Sequence, residues 1–213
     1  MKRHLPPLLF AILVATLLVG QRFGSPWAGA DRGPAVEAVV LVADGEVVVD
    51  AAGKTRPATV GERLRRGEIV LIGAGGYAEL SVAGVRLGLD ERTDLLMADL
   101  SASHPVVRLV QGRLAAASDP SSPILSVTTE ATDTQLPSGA SMSVINYSFR
   151  HVVEIIPFDA PLPILFVDDS AIVAVGAQRV TERPGLSVEG FAFDANTSAG
   201  AAFYAKFFHL LSS

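Results

Sequence analysis

Apolar and polar residues alternate at period two along most of this chain, and glycine punctuates the alternation. Ala78, Leu80 and Val82 alternate with Tyr77, Glu79 and Ser81. Ala83-Gly84 interrupts, and Val85, Leu87 and Leu89 then alternate with Arg86 and Gly88. Two alternating runs across a two-residue, glycine-containing gap predict a β-hairpin with one buried and one wetted face. The run before it, residues 68–72, reads as a strand ending at Gly73-Ala74-Gly75-Gly76. Residues 39–42 and 47–49 flank Asp44-Gly45, a second predicted hairpin. Residues 106–117, centred on Gln111-Gly112, repeat that grammar, and residues 152–156 read as a weaker third copy stopped by Pro157.

Residues 53–57 are expected to form a turn. Residues 59–66, with Glu62, Arg63, Arg65 and Arg66, are expected to form a loop or an edge. A polar turn at residues 90–93 precedes apolar Leu95-Leu96-Met97, and further strands are predicted at residues 124–127, 139–145 and within 185–193. A hairpin is predicted over residues 164–175, turning at Asp168-Asp169-Ser170. Pro157, Pro161 and Pro163 exclude their stretch from a central strand. The predicted fold is all-β: a sandwich or roll, or a short β-solenoid of repeated hairpins. A short helix over residues 198–211 puts Phe203, Phe207 and Leu210 on one face, to dock against the sheet.

The N-terminus follows different rules. Lys2-Arg3-His4 precede an almost wholly apolar run at residues 5–20, closed by Gln21 and Arg22. That run is shorter than the roughly twenty residues of a membrane span and suits an export signal. Ala28-Gly29-Ala30 offers a cleavage site after Ala30; uncleaved, residues 5–20 anchor the chain in the inner membrane. The expected organisation is a signal peptide or anchor helix at residues 1–30, a linker at 31–35, a β domain at 36–190 and a tail with a short helix at 191–213. Everything after residue 30 is expected outside the cytoplasm.

Composition narrows the function. The 213 residues are 49% hydrophobic and 18% charged, which supports a packed core. A net charge of −5 with no basic tract argues against nucleic acid as a partner. Cysteine is absent, so disulfides, thiolate metal sites and a cysteine nucleophile are excluded.

Candidate chemistry thins out on inspection. Gly73-Ala74-Gly75-Gly76-Tyr77-Ala78 matches a dinucleotide-binding fingerprint, but residues 77–89 alternate as strand where that site needs a helix. His4, His104, His151 and His209 are dispersed and form no local ligand pair. Gly139-Ala140-Ser141-Met142-Ser143 begins like a nucleophile elbow but lacks its last glycine. Asp168-Asp169 reads as a turn, since adjacent strand residues face opposite ways. The Glu62, Arg63, Arg65, Arg66 cluster reads as solvated, with anion binding as its alternative. Asn146-Tyr147-Ser148 and Asn196-Thr197-Ser198 fit a glycosylation sequon. No catalytic, cofactor-binding or metal residue is assigned, and no cofactor is expected.

Taken in order, the turns resemble the extracytoplasmic β domain of the FecR family. Val60-Gly61-Glu62 and Leu64 lead to Gly67-Glu68-Ile69, similar to that family's Gly-Asp-x-Ile step. Gly76 with Ala78-Glu79-Leu80, then Thr93 and Leu95, follow its order. So do Val107-Arg108-Leu109 with Gly112 and Leu114, Val127-Thr128-Thr129 with Ala131, and Gly139 with Met142 and Val144. Glu68, Ala83, Ala140, Met142 and the tail after residue 175 depart from it. The resemblance spans about residues 36–175 and implies a non-catalytic domain outside the inner membrane, tied in regulatory members to a cytoplasmic anti-sigma segment. Only residues 1–4 precede the apolar run here, so this chain is not expected to touch a sigma factor itself. The expected function is an exported envelope module binding a protein or a cell-wall polysaccharide. Its alternatives are an accessory part of a sigma/anti-sigma relay and, last, an envelope glycan hydrolase.

Overall fold

Seventeen strands, among the described residues, join by hydrogen bonds into one continuous mixed sheet. The computed structural model describes residues 36–182, 185–196 and 201–211. The expected signal or anchor at residues 1–30 and the linker at 31–35 lie outside them. Among the described residues no helix is long and apolar enough to cross a membrane.

In chain order the strands are β1 (Ala38–Asp44), β2 (Val47–Ala51), β3 (Lys54–Pro57), β4 (Arg63–Leu64), β5 (Ile69–Ile72), β6 (Tyr77–Val82), β7 (Val85–Leu89), β8 (Asp94–Asp99) and β9 (Val106–Ser118). They continue as β10 (Leu125–Thr128), β11 (Thr132–Leu136), β12 (Ser141–Tyr147), β13 (Val152–Pro157), β14 (Leu162–Phe166), β15 (Ala171–Ala174), β16 (Gln178–Thr181) and β17 (Ser187–Gly190). The ladders form two wings. The first runs β4-β1-β6-β7-β9-β12-β13-β16-β17. The second runs β3-β2-β5-β8-β9-β10-β11-β14-β15. Of these described pairings only β9–β10 is parallel, so the strands do not stack as the parallel coils of a solenoid. Val40, Leu80, Leu87 and Leu114 of the first wing share one buried cluster with Val49, Val70, Leu95 and Val127 of the second.

The predicted hairpin at Ala83-Gly84 forms, linking β6 to β7 with both turn residues at positive φ, 53° and 86°. The one predicted at Asp44-Gly45 does not. β1 pairs with β6 and β2 with β5, so Gly45 is a corner at which the chain leaves one wing for the other. The glycine break at residues 73–76 is the matching corner between β5 and β6. The two corners touch: a Cβ on Gly45 would lie 2.9 Å from the Cα of Gly76.

The expected hairpin over residues 106–117 is likewise a single 13-residue strand, β9. Its first half pairs with β8 and β10, its second with β7 and β12. Gly112, at φ 99°, turns it from one wing to the other. Residues 152–156 form one strand, β13, with no turn inside it. Residues 53–57 were expected to turn, yet Lys54–Pro57 is strand β3; the turn is Ala52-Gly53 before it. Two strands escaped notice, β11 and β16, because polar residues fill them.

The C-terminal segment docks on the sheet as expected, but among the described residues it forms two short helices broken at Phe207 and not one helix. Helix α1 (Ala201–Lys206) and the short helix α2 (Phe208–Leu211) bury Phe203, Phe207 and Leu210 against the outer face of the first wing, with Ala115 beneath. That face is built small to receive them. The ring of Phe207 lies where a Cβ of Gly88 would be, 2.3 Å from its Cδ1.

Candidate functional site

Three corners meet on one side of the fold: residues 91–92 between β7 and β8, residues 111–113 at the bend of β9, and the end of β12 with the 3-10 turn Ser148–Arg150. They enclose a cleft of about 450 Å³ lined by Glu91, Arg92, Gln111, Arg113, Tyr147 and Phe149, among others. That volume is within the range of small-ligand sites, about 300–1,000 Å³.

The corners are fixed by backbone bonds. Thr93 Oγ1 accepts the N–H of Arg113 at 3.0 Å and donates to its carbonyl at 3.3 Å. The β9–β10 ladder ends at Arg108, and Asn146 Nδ2 donates to the carbonyls of Leu109 and Val110 beyond it, both at 2.9 Å. Asn146 is therefore buried and engaged, which removes it as a glycosylation site.

The lining has a recognisable chemistry. Phe149 is 76% exposed, with the Arg150 guanidinium 5.3 Å above its ring. Tyr147 stands beside it; burial pushes its hydroxyl above the ordinary value, the charge of Glu154 adds to this, and Arg113 opposes both. Glu91 accepts the N–H of Gly75 at 2.8 Å. A carboxylate thus sits on the glycine turn that resembled a phosphate loop, and strand β6 follows that turn. Arg113 pairs with buried Asp90 at 3.4 Å, and Asp90 also takes Lys206 of α1 at 2.6 Å. One carboxylate so connects the cleft wall to the C-terminal helix. Two guanidinium groups, an amide and two rings suit a ligand with a flat face and an acidic group.

Across the 3-10 turn lies a smaller cavity of about 120 Å³, lined in part by Arg108, Glu130, Ser148 and Glu182. Here His151 meets Glu130 and Glu182, their ligand atoms all within 4.8 Å of one another. Local spacing hid this group, because the three residues lie on three separate segments.

Other residues singled out from the sequence are not brought together. Among the described histidines, His104 meets Ser126 at 2.8 Å and His209 meets Glu79 at 2.9 Å. Ser141 is buried at the start of β12, bonded to Asp159 and the Leu211 carbonyl, with a turn before it and strand, not helix, after it. Asp168 accepts the Ser170 N–H in a turn. The Glu62 cluster dissolves into separate pairs, Glu62 with Arg56 at 2.7 Å and Arg63 with Glu37 at 2.8 Å.

Asp133 is a half-buried charge that sequence reading missed. Burial pushes its carboxyl above the ordinary range, while a hydrogen bond from Ser126 and the charge of His104 pull the other way. Its Oδ1 has no hydrogen-bond partner. A carboxyl with a raised folded pKa binds its proton more tightly in the fold than in the unfolded chain. Its contribution is favourable in acid and is lost as pH rises from the unfolded towards the folded value. Asp133→Asn is therefore expected to stabilise the protein at neutral pH, by up to about 1 kcal/mol after allowing for partial exposure. The gain should vanish below the carboxylate range. Thermal melts at both pH values check this; an equal shift at both would refute it.

No protein-family model matches the sequence, and no curated protein matches it. Two solved structures are similar in fold, each described as a "putative anti-sigma factor" from Parabacteroides distasonis ATCC 8503. One has 14% identity and a TM-score of 0.51, over 60% of this chain and 61% of its own. The other has 10% identity and a TM-score of 0.51, over 68% and 75%. This chain thus spans about three fifths of the first. At these identities the likeness is one of fold.

Proposed function

We propose that this chain is a non-catalytic β domain of an anti-sigma-type transmembrane signalling relay, working outside the cytoplasm and receiving a protein or cell-wall glycan at the corner cleft. The fold likeness to the two Parabacteroides structures carries the reading. The FecR-like order of strand and turn residues supports it, as does the cleft, whose exposed Phe149 and two arginines suit binding. The tie from Arg113 through Asp90 to Lys206 gives a bound ligand a mechanical route to α1.

The non-catalytic reading is supported by the carboxylates. Glycoside hydrolases hold two about 5–9.5 Å apart across a sugar. Glu130 and Glu182 approach within 4.8 Å beside a cavity of only about 120 Å³. In the cleft itself, the carboxylate of Glu91 is bonded to backbone.

Deleting the gene in its bacterium and profiling transcripts tests the relay. A group of promoters sharing one alternative-sigma signature should change, and the wild-type gene should restore them. The doubly substituted Phe149→Ala, Arg92→Asn chain should fold normally and fail to restore them. Asparagine is chosen because it tolerates the left-handed φ of 57° at position 92. An envelope defect with unchanged transcription would leave a scaffold role and overturn the relay. Export is read separately: alkaline phosphatase fused after Ser213 should be active, and an inactive fusion would contradict placement outside the cytoplasm.

A further inference from the structure

We propose that His151, Glu130 and Glu182 form a site for a first-row divalent cation, with Zn²⁺ as the best fit. The Nδ1 of His151 is buried and has no hydrogen-bond partner. The Glu182 Oε2 stands 3.8 Å from it, too far for a hydrogen bond. Two donors on one tetrahedral zinc stand roughly 3.4 Å apart, from metal–ligand distances of about 2.0–2.2 Å. The 3.8 Å gap is thus close to that of two ligands bridged by an ion. Glu130, within 4.8 Å of both, needs a side-chain movement of about an ångström to join them.

Each ligand comes from a fixed backbone. Glu182 donates its N–H to the carbonyl of His151 at 2.9 Å, which locks those two segments together. His151 follows the 3-10 turn at a left-handed φ of 54°, its N–H held by the Ser148 carbonyl. Glu130 rides a tight turn in which Thr129 Oγ1 accepts the N–H groups of Ala131 and Thr132. Because Glu130 follows β10 of the second wing, and Glu182 follows β16 of the first, a bound ion ties the two wings together.

The donor set selects the ion. Arg108 lines the adjoining cavity and offsets part of the carboxylate charge. Ca²⁺ and Mg²⁺ rely on oxygen ligands and charge, whereas Zn²⁺ gains from the imidazole nitrogen. The third and fourth positions are left to Glu130 and water. Among the described residues this is the one grouping of three such side chains.

Calorimetric titration of the EDTA-stripped full chain with ZnCl₂, and separately with MgCl₂, tests the site. One Zn²⁺ per chain at micromolar affinity or tighter is expected, with a rise in Tm that Mg²⁺ does not give. His151→Asn, which accepts the left-handed backbone, should weaken Zn²⁺ binding at least about tenfold and leave the metal-free Tm in place. Glu130→Gln, at an exposed position, should weaken it too. Binding only at millimolar zinc, or affinity unchanged in His151→Asn, overturns the proposal. The relay reading stands or falls on transcription and is untouched by either outcome.

Discussion

Gly112→Ala is expected to be the most damaging single methyl that can be added to this protein. Gly112 holds φ at 99°, a region that costs an L-residue about 1–3 kcal/mol. The added Cβ would also lie 2.4 Å from Thr93 Oγ1, 2.5 Å from Thr93 Cα and 2.8 Å from the Arg92 carbonyl. Two of those three atoms are backbone, at a corner already bonded to Arg113, so no rotamer change relieves them. Overpacking of this kind adds about 1–3 kcal/mol. The sum, about 2–6 kcal/mol, is a large part of the 5–15 kcal/mol that holds a typical domain. Urea denaturation should show a large drop in midpoint, or the variant should fail to fold. Gly176→Ala is the control. Nothing lies within 4 Å of its added Cβ and its φ is ordinary, so its effect should stay within about 0.5 kcal/mol. A Gly112→Ala cost below about 1 kcal/mol would show that β9 bends for some other reason.

The same glycine explains how the sequence misled. A glycine between two alternating runs either reverses the chain or redirects it, and local pattern is the same in both cases. At Ala83-Gly84 the flanking strands pair with each other. At Gly45 and Gly112 they pair with other strands and not with each other, and those ladders decide the outcome. Period-two alternation showed that these stretches are extended, and the missing helix after Tyr77 ruled out a nucleotide loop; both readings depend on local physics alone. β11 was invisible because Thr132 and Thr134 face inward as small polar residues on a strand that looks wet in sequence. The cleft was hidden for a related reason. Arg92, Gln111 and Phe149 are turn and bend residues with no shared spacing, and only the meeting of three corners places them on one wall.

Phe207→Ala should release the C-terminal helices. The ring is fully buried, edge-on to Phe203 at 5.2 Å and to Tyr77 at 6.4 Å, and it fills the space above Gly88. Removing a buried phenylalanine costs about 3–5 kcal/mol. The polar ties cannot compensate. Lys206–Asp90 and His209–Glu79 have their basic partners 35% and 49% exposed, so each is worth about 1 kcal/mol or less. Gly88→Val attacks the same contact from the other side. Its backbone suits a strand, but its Cβ would sit 2.3 Å from the Phe207 ring. Both variants should therefore show rapid hydrogen exchange and proteolysis over residues 201–211 while the β-wings keep their protection. Because each acts by the same undocking, the double variant should cost little more than either alone. Additive costs would mean that Gly88 serves the sheet and that Phe207 is held by something else. If the helices did leave, Asp90 would lose Lys206 and keep only Arg113, so ligand affinity at the cleft should shift in these variants although none of the altered residues lines it. Unchanged affinity would cut the mechanical route from cleft to helix and leave the relay to act through another part of the fold.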